Sequence, residues 1–258
     1  MRTFKKWLIA AIVLLVLGGM VFAISVALMG FDFSKLQTDR CETTVVTIDE
    51  AFRDIAITAR TADVALVPSE DGKCSVTFYA EKASTPSASV ENGVLTIRTD
   101  KKKDWTLSGI LSGSPSITVS LPENVYGVLT IAVTTGDITT TDLSAETLAL
   151  SVTTGDIVLK NVTCRDVITE GTTGNITLTN VMASGEVSAV RSTGNIQLDG
   201  SDAATLTLKT TTGNITGTLR SGKTFAAKTT TGDVSVPPTD GGKCELQTTT
   251  GDIQIEIQ

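Results

Sequence analysis

The residues most open to chemistry form a column. Asp137, Asp156, Asn175, Asn195, Asn214, Asp233 and Asp252 each follow directly on a glycine. Stacked carboxylate and amide oxygens are what a calcium site draws on. Two carboxylates about 5 Å apart, one strand spacing, match the separation in a retaining glycosidase. Both chemistries fit poorly. The three central asparagines leave too little charge for a tight calcium site, and the spacing is not that of the short nonapeptide calcium repeat. Paired aspartates in one shared, exposed environment have nothing to push their pKa values apart, as acid–base catalysis requires. The structural reading is stronger: Asp and Asn tolerate the tight turn after a glycine. Asparagines in the middle also relieve the repulsion that seven stacked aspartates would feel.

Other chemistries are excluded by composition. The 258 residues include no histidine, which removes histidine triads, Cys–His pairs and His-ligated zinc. Lys+Arg 21 against Asp+Glu 28 gives a net charge of -7, the wrong sign for a nucleic-acid partner. Four cysteines stand at 41, 74, 164 and 244 with no Cys-x-x-Cys spacing, so zinc is not expected. Cys164 and Cys244 occupy apolar positions of a repeat and read as buried thiols; Cys41 and Cys74 are left free to bridge or not. Beyond residue 33 the aromatics are Phe52, Phe78, Tyr79, Trp105, Tyr126 and Phe225, too few for a sugar-stacking groove. Lys101, Lys102 and Lys103 followed by Trp105 form a candidate docking loop, with tryptophan as anchor and the lysines set against an anionic polymer or headgroup. Asn161-Val162-Thr163 matches a glycosylation acceptor pattern, but it arises from the repeat.

The element that positions the column is that repeat. Thr-Thr-Gly-Asp/Asn-Ile recurs around Gly136, Gly155, Gly174, Gly194, Gly213, Gly232 and Gly251, with Ser192 and Val234 as departures, at spacings of 19, 19, 20, 19, 19 and 19. Apolar residues alternate with period 2 on either side of each glycine, which predicts two strands per copy. The inward phase flips at the glycine, so the glycine is a corner where positive φ is needed. A 19-residue unit cannot bury its own core; stacked units can. The expected fold is all-β, a parallel β-solenoid of about seven 19-residue coils, roughly 34 Å long at one strand spacing per coil. A degenerate copy covers residues 55–66, with Ala62 at the corner. Residues 43–122 are expected to be an N-terminal β-region with that one degenerate coil, and 123–258 the repeats. Threonines one and two before each glycine form ladders that favour strands; a flat threonine array can also match a sugar or ice lattice.

Upstream, Arg2, Lys5 and Lys6 lie in a basic N-terminus, residues 1–6, and precede a nearly uninterrupted apolar run over residues 7–29. At 1.5 Å per residue the run reaches roughly 35 Å, enough to cross a bilayer. The expectation is one transmembrane helix, the N-terminus inside, residues 30–42 as a linker and the rest extracellular.

With its TTGD/N-I copies, the preceding Ile117-Thr118-Val119-Ser120-Leu121-Pro122 strand and the N-terminal apolar run, the sequence resembles the bacterial putative-adhesin β-strand-repeat family, a domain of unknown function common in Firmicutes. The resemblance covers residues 43–258. It implies a cell-surface β-solenoid and brings no catalytic residues. The expected protein is thus a membrane-anchored, single-pass, non-catalytic interaction or structural module of the cell envelope. A ligand- or calcium-binding surface sensor is the alternative, and a wall-polysaccharide enzyme stands behind it. No cofactor is expected. The expected partners are the membrane through residues 7–29, an envelope protein or wall polymer, and a second copy through the C-terminal edge strand.

Overall fold

The computed structural model describes residue 14 and residues 17–20, 41–81, 85–100 and 114–258. Contacts divide the chain into two units. In the first, Met1–Arg40 with Asp104–Gly113, the described residues are Leu14 and residues 17–20, all helical. The transmembrane helix expected over residues 7–29 is corrected here: among the described residues no helix is long and apolar enough to cross a membrane. Apart from Leu14 and residues 17–20 that segment lies outside the described residues, and the single-pass location that was built on it falls with it. The candidate docking loop, Lys101, Lys102, Lys103 and Trp105, also lies outside the described residues.

The second unit, Cys41–Lys103 with Ser114–Gln258, is all-β. Its first seven strands are β1 (Cys41–Ile48), β2 (Asp54–Thr61), β3 (Asp63–Pro68), β4 (Cys74–Glu81), β5 (Thr85–Glu91), β6 (Val94–Asp100) and β7 (Ser116–Leu121). The repeats form β8 (Val125–Thr135), β9 (Ile138–Thr154), β10 (Ile157–Thr173), β11 (Ile176–Thr193) and β12 (Ile196–Thr212). Shorter strands finish the chain: β13 (Ile215–Leu219), β14 (Lys223–Lys228), β15 (Val234–Ser235), β16 (Gly242–Gln247) and β17 (Ile253–Ile257).

The coils stack in parallel and in register, as a solenoid requires. Ile138, Ile157, Ile176, Ile196 and Ile215 are paired neighbours in successive coils, and each is 0% exposed. Leu148, Val167, Val187 and Leu206 form a second such column. These aliphatic ladders are the core; a lone coil would leave them in water.

At both ends the stacking order departs from the chain order. β2 lies between β6 and β8, with Ile57 opposite both Ile97 and Ile131. β3 likewise lies between β7 and β9, with Leu66 opposite Val119 and Thr140. The chain therefore lays one coil, builds a second outside it, and crosses back to continue inward. Antiparallel strands close that end: β5 on β6, β4 on β7 and β1 on β4. The β1–β4 register sets Cys41 opposite Glu81 and Cys74 opposite Ile48, which separates the two cysteines by about seven residues or 24 Å. Cys74 is a buried free thiol, as are Cys164 and Cys244.

At the other end β12 pairs with β13 over its first part but with β16 over its second, and β14 lies outside β16. β17 lies between β13 and β15. The coil of Gly251 is thus inserted between those of Gly213 and Gly232. The edge expected at the last strand is formed in part by β14 and β15: β15 covers β17 at Ile253 and Gln254, and Ile255–Ile257 pair only with β13 among the described strands. Pro237 and Pro238 follow β15 after Val236. Proline has no N–H to offer a further strand, so the edge is blunted beyond β15.

Candidate functional site

Every predicted corner glycine sits at a corner. Their φ angles run from 122° at Gly174 to 148° at Gly213, a region L-residues rarely adopt. Space gives a second reason: a Cβ on Gly213 would lie 2.0 Å from the Gly194 carbonyl oxygen. The residue after each glycine then has a defined task. Asp156 N–H donates to Asp137 Oδ1 (2.8 Å), Asn175 N–H to Asp156 Oδ1 (2.6 Å) and Asn195 N–H to Asn175 Oδ1 (3.0 Å). The series runs on through Asn214 to Asn195 (2.8 Å), Asp252 to Asn214 (2.8 Å) and Asp233 to Asp252 (2.9 Å). It begins one coil earlier than the glycines, with Asp137 N–H donating to Asp63 Oδ1 at 3.0 Å. Each step needs one side-chain oxygen, which Asp and Asn supply equally; that is why the column mixes them. Among the described residues no group of three or more His, Cys, Asp or Glu is placed to hold a metal ion. The threonines (serine at Ser192) just before each glycine are exposed in all seven copies and leave a double column of hydroxyls along the corner.

A second corner was not anticipated. Six residues after four successive glycines the backbone turns left-handed again, at Asp142 (φ 52°), Asn161 (54°), Asn180 (52°) and Gly200 (55°). Here side chain meets side chain: Asn161 Nδ2 donates to Asp142 Oδ1 (2.8 Å) and Asn180 Nδ2 to Asn161 Oδ1 (2.9 Å). Arg220 closes the series, Nη2 donating to Asn180 Oδ1 (2.6 Å) and Nε to Gly200 O (2.8 Å). The signal was in the sequence as Asp, Asn, Asn and Gly at a fixed offset, the residue types that tolerate this conformation.

The interior also holds polar groups. Thr210, Thr248 and Thr229 hydroxyls each donate to a corner glycine carbonyl of the neighbouring coil, at 2.9 Å. One coil before Thr210 the same column carries Arg191, only 2% exposed. Its guanidinium crosses Gly171 to reach Val152 O (3.1 Å) and Gly155 O (3.2 Å); a Cβ on Gly171 would collide with it. Burial lowers the Arg191 pKa, and Asp156 opposes that shift. Lys223 repeats the device near the C-terminus. It stands opposite Gly242 and reaches past it to Asp202 Oδ1 (2.5 Å) and Ala203 O (2.7 Å), with Ser221 Oγ at 2.9 Å. Burial pushes the Asp202 carboxyl up, but hydrogen bonds from Lys223, Ser221 and the Ala203 amide outweigh it and hold the group below its ordinary value. Burial raises the Cys74 and Cys164 thiols to about 11 and the Cys244 thiol to about 12, so none is a ready nucleophile.

The model of the Toastrack DUF4097 family matches residues 52–258. Among solved structures, a putative adhesin from Bacteroides fragilis NCTC 9343 is similar at 16% identity and a TM-score of 0.50, over 86% of this chain and 98% of that one. A putative cell adhesion protein from Clostridium sporogenes ATCC 15579 is similar at 11% identity and a TM-score of 0.41, over 84% and 100%. A putative lipid binding protein from Parabacteroides distasonis ATCC 8503 follows at 13% identity and a TM-score of 0.28, over 85% and 98%. No curated protein matches the chain.

Proposed function

The chain belongs to the Toastrack DUF4097 family, and from that premise we propose that it is a non-catalytic, adhesin-like module of the cell envelope whose working surface is the threonine-lined corner face. One observation carries this reading. The corner Asp and Asn oxygens, the residues best suited to metal or acid–base chemistry, accept N–H groups from the next coil. The exposed threonine hydroxyls beside them are not needed by the ladder. They repeat at one strand spacing, about 4.8 Å, and so offer donors and acceptors at regular intervals to a polymer with its own repeating polar groups. A wall polymer or an envelope protein is the proposed partner. Self-association at the end of the stack belongs to the same proposal, with β14 as the strand a second copy would meet.

The test is retention of the full chain on purified, insoluble wall polysaccharide. Wild type is expected to be retained and the polymer to be unchanged after incubation. The triple variant Thr154→Ala, Thr173→Ala, Thr193→Ala should lose retention at an unchanged melting temperature. Equal retention by the variant rejects the threonine face; release of soluble sugar rejects the non-catalytic reading.

A further inference from the structure

Pro68 stands six residues after Ala62, in the column that carries Asp142, Asn161 and Asn180 in the following coils. Proline is held near φ −65° and cannot make the left-handed corner. β3 accordingly stays paired with β9 only as far as Leu66 opposite Thr140, and the chain turns away toward β4. A cavity of about 340 Å³ opens beneath Asp142. Leu66, Leu121, Leu143 and Tyr126 form its apolar walls, and Asp142 and Glu123 its charges; no lysine or arginine lines it.

The second-corner ladder shows what chemistry its end accepts. Asp142 and Asn161 each receive an N–H from the next coil, and Asn180 receives one from the Arg220 guanidinium, which reaches it past Gly200. At the opposite end stands a carboxylate where the next two corners have amides. Asp142 Oδ1 is taken by Asn161; its other oxygen and the Glu123 carboxylate have no hydrogen-bond or ion-pair partner among the described residues. Two carboxylates are too few for calcium, which takes six to eight oxygens, and the aliphatic walls suit an alkyl stem rather than a hydrated metal ion. We propose that this cavity is a binding site for an organic cation, a guanidinium or primary ammonium on an aliphatic chain, completing at Asp142 the capping that Arg220 provides at the far end. The chemistry is shared by a free small cation and by an arginine or lysine side chain of a protein partner. The site is independent of the threonine face.

The test is calorimetric titration of the full chain with ethylguanidinium, with neutral ethylurea as control. Asp142→Asn is the informative variant, because Asn161 and Asn180 hold the same conformation and the same hydrogen bond; its melting temperature should match wild type. Ethylguanidinium is expected to bind saturably and ethylurea not. Asp142→Asn should weaken binding by about tenfold or more, the scale of one charge-assisted hydrogen bond, and Glu123→Gln by less. No saturable binding, equal binding of ethylurea, or unchanged binding by Asp142→Asn overturns the proposal. An arginine-containing tripeptide binding at least about tenfold tighter than ethylguanidinium supports a protein side chain as occupant; equal affinity supports a free cation.

Discussion

Between β9 and β12 each coil lies on the coil made just before it; beyond those strands, on both sides, it does not. The regular middle is held by features that every copy carries: a corner glycine, an Asx oxygen that accepts the next coil's N–H, and an aliphatic ladder. Any two copies could stack on these terms. The ends are decided by residues that occur once. Pro68 turns the first coil away, Gly242 admits the Lys223 side chain to Asp202, and Pro237 and Pro238 suit the coil of Gly232 to the outermost position. A repeat thus specifies how coils touch, and single-copy residues specify which coils touch.

That contrast can be broken at either place. Gly174→Val in the middle carries the largest expected effect. Its φ is 122° and a Cβ would lie 2.1 Å from the Gly155 carbonyl oxygen, so a loss of more than about 4 kcal/mol is expected, visible as a global loss of hydrogen-exchange protection. Lys223→Met should cost about 3 kcal/mol, because it strands a buried carboxylate, but the lost protection should be confined to residues 242–258 and their neighbours. Adding Asp202→Leu should restore most of it. The same pair sets a pH dependence. Asp202 is held below its ordinary value in the folded chain, so its contribution is complete above the unfolded value of about 3.9 and is lost as pH falls through the lower, folded one. The advantage of wild type over the double variant should be flat from pH 7 to 5 and shrink in more acidic melts. Thr248→Val removes a buried hydroxyl bonded to Gly213 O and should cost about 1 kcal/mol. Thr216→Val, on the side of its strand away from the core, should stay within about 0.5 kcal/mol. The smallest expected effect is that of calcium: millimolar calcium and excess chelator should give the same melting temperature, and a large rise with calcium would reopen the ion-binding reading.

Much of the middle was legible in the sequence because periodicity is a local signal. The glycine column and the Asx ladder beside it follow from seven aligned copies, and even the degenerate coil around Ala62 stands where its apolar columns put it; the two strands expected per copy are instead one continuous strand from glycine to glycine in β9, β10, β11 and β12. The second corner was legible in principle, but Asn161 was read only through the acceptor pattern Asn161-Val162-Thr163, and Asp142 and Gly200 share no residue type with it. Stacking order was not legible. The copies of Gly232 and Gly251 present nearly the same columns, so sequence order was the default, and what overrides it is a contact between residues 21 positions apart, Asp202 and Lys223. The apolar run at 7–29 is long enough in sequence to span a bilayer, but no helix of that kind is found among the described residues. Arg191 beside Gly171 carried a signal that could have been used, since a charged residue in an apolar column next to a glycine in the neighbouring copy marks a side chain crossing a coil.

The most direct test of this account is a pair of cysteine cross-links at the exposed corner. Thr250 bridges to Thr212 on one side and to Thr231 on the other. Neighbouring strands are about 4.8 Å apart and strands two levels apart about 10 Å, and a disulfide needs Cα atoms within roughly 7 Å. Under mild oxidation Thr212→Cys with Thr250→Cys should bridge, and Thr212→Cys with Thr231→Cys should not, as read by peptide mapping. If the second pair bridges and the first does not, the coils stack in chain order and the insertion of the last coil is wrong.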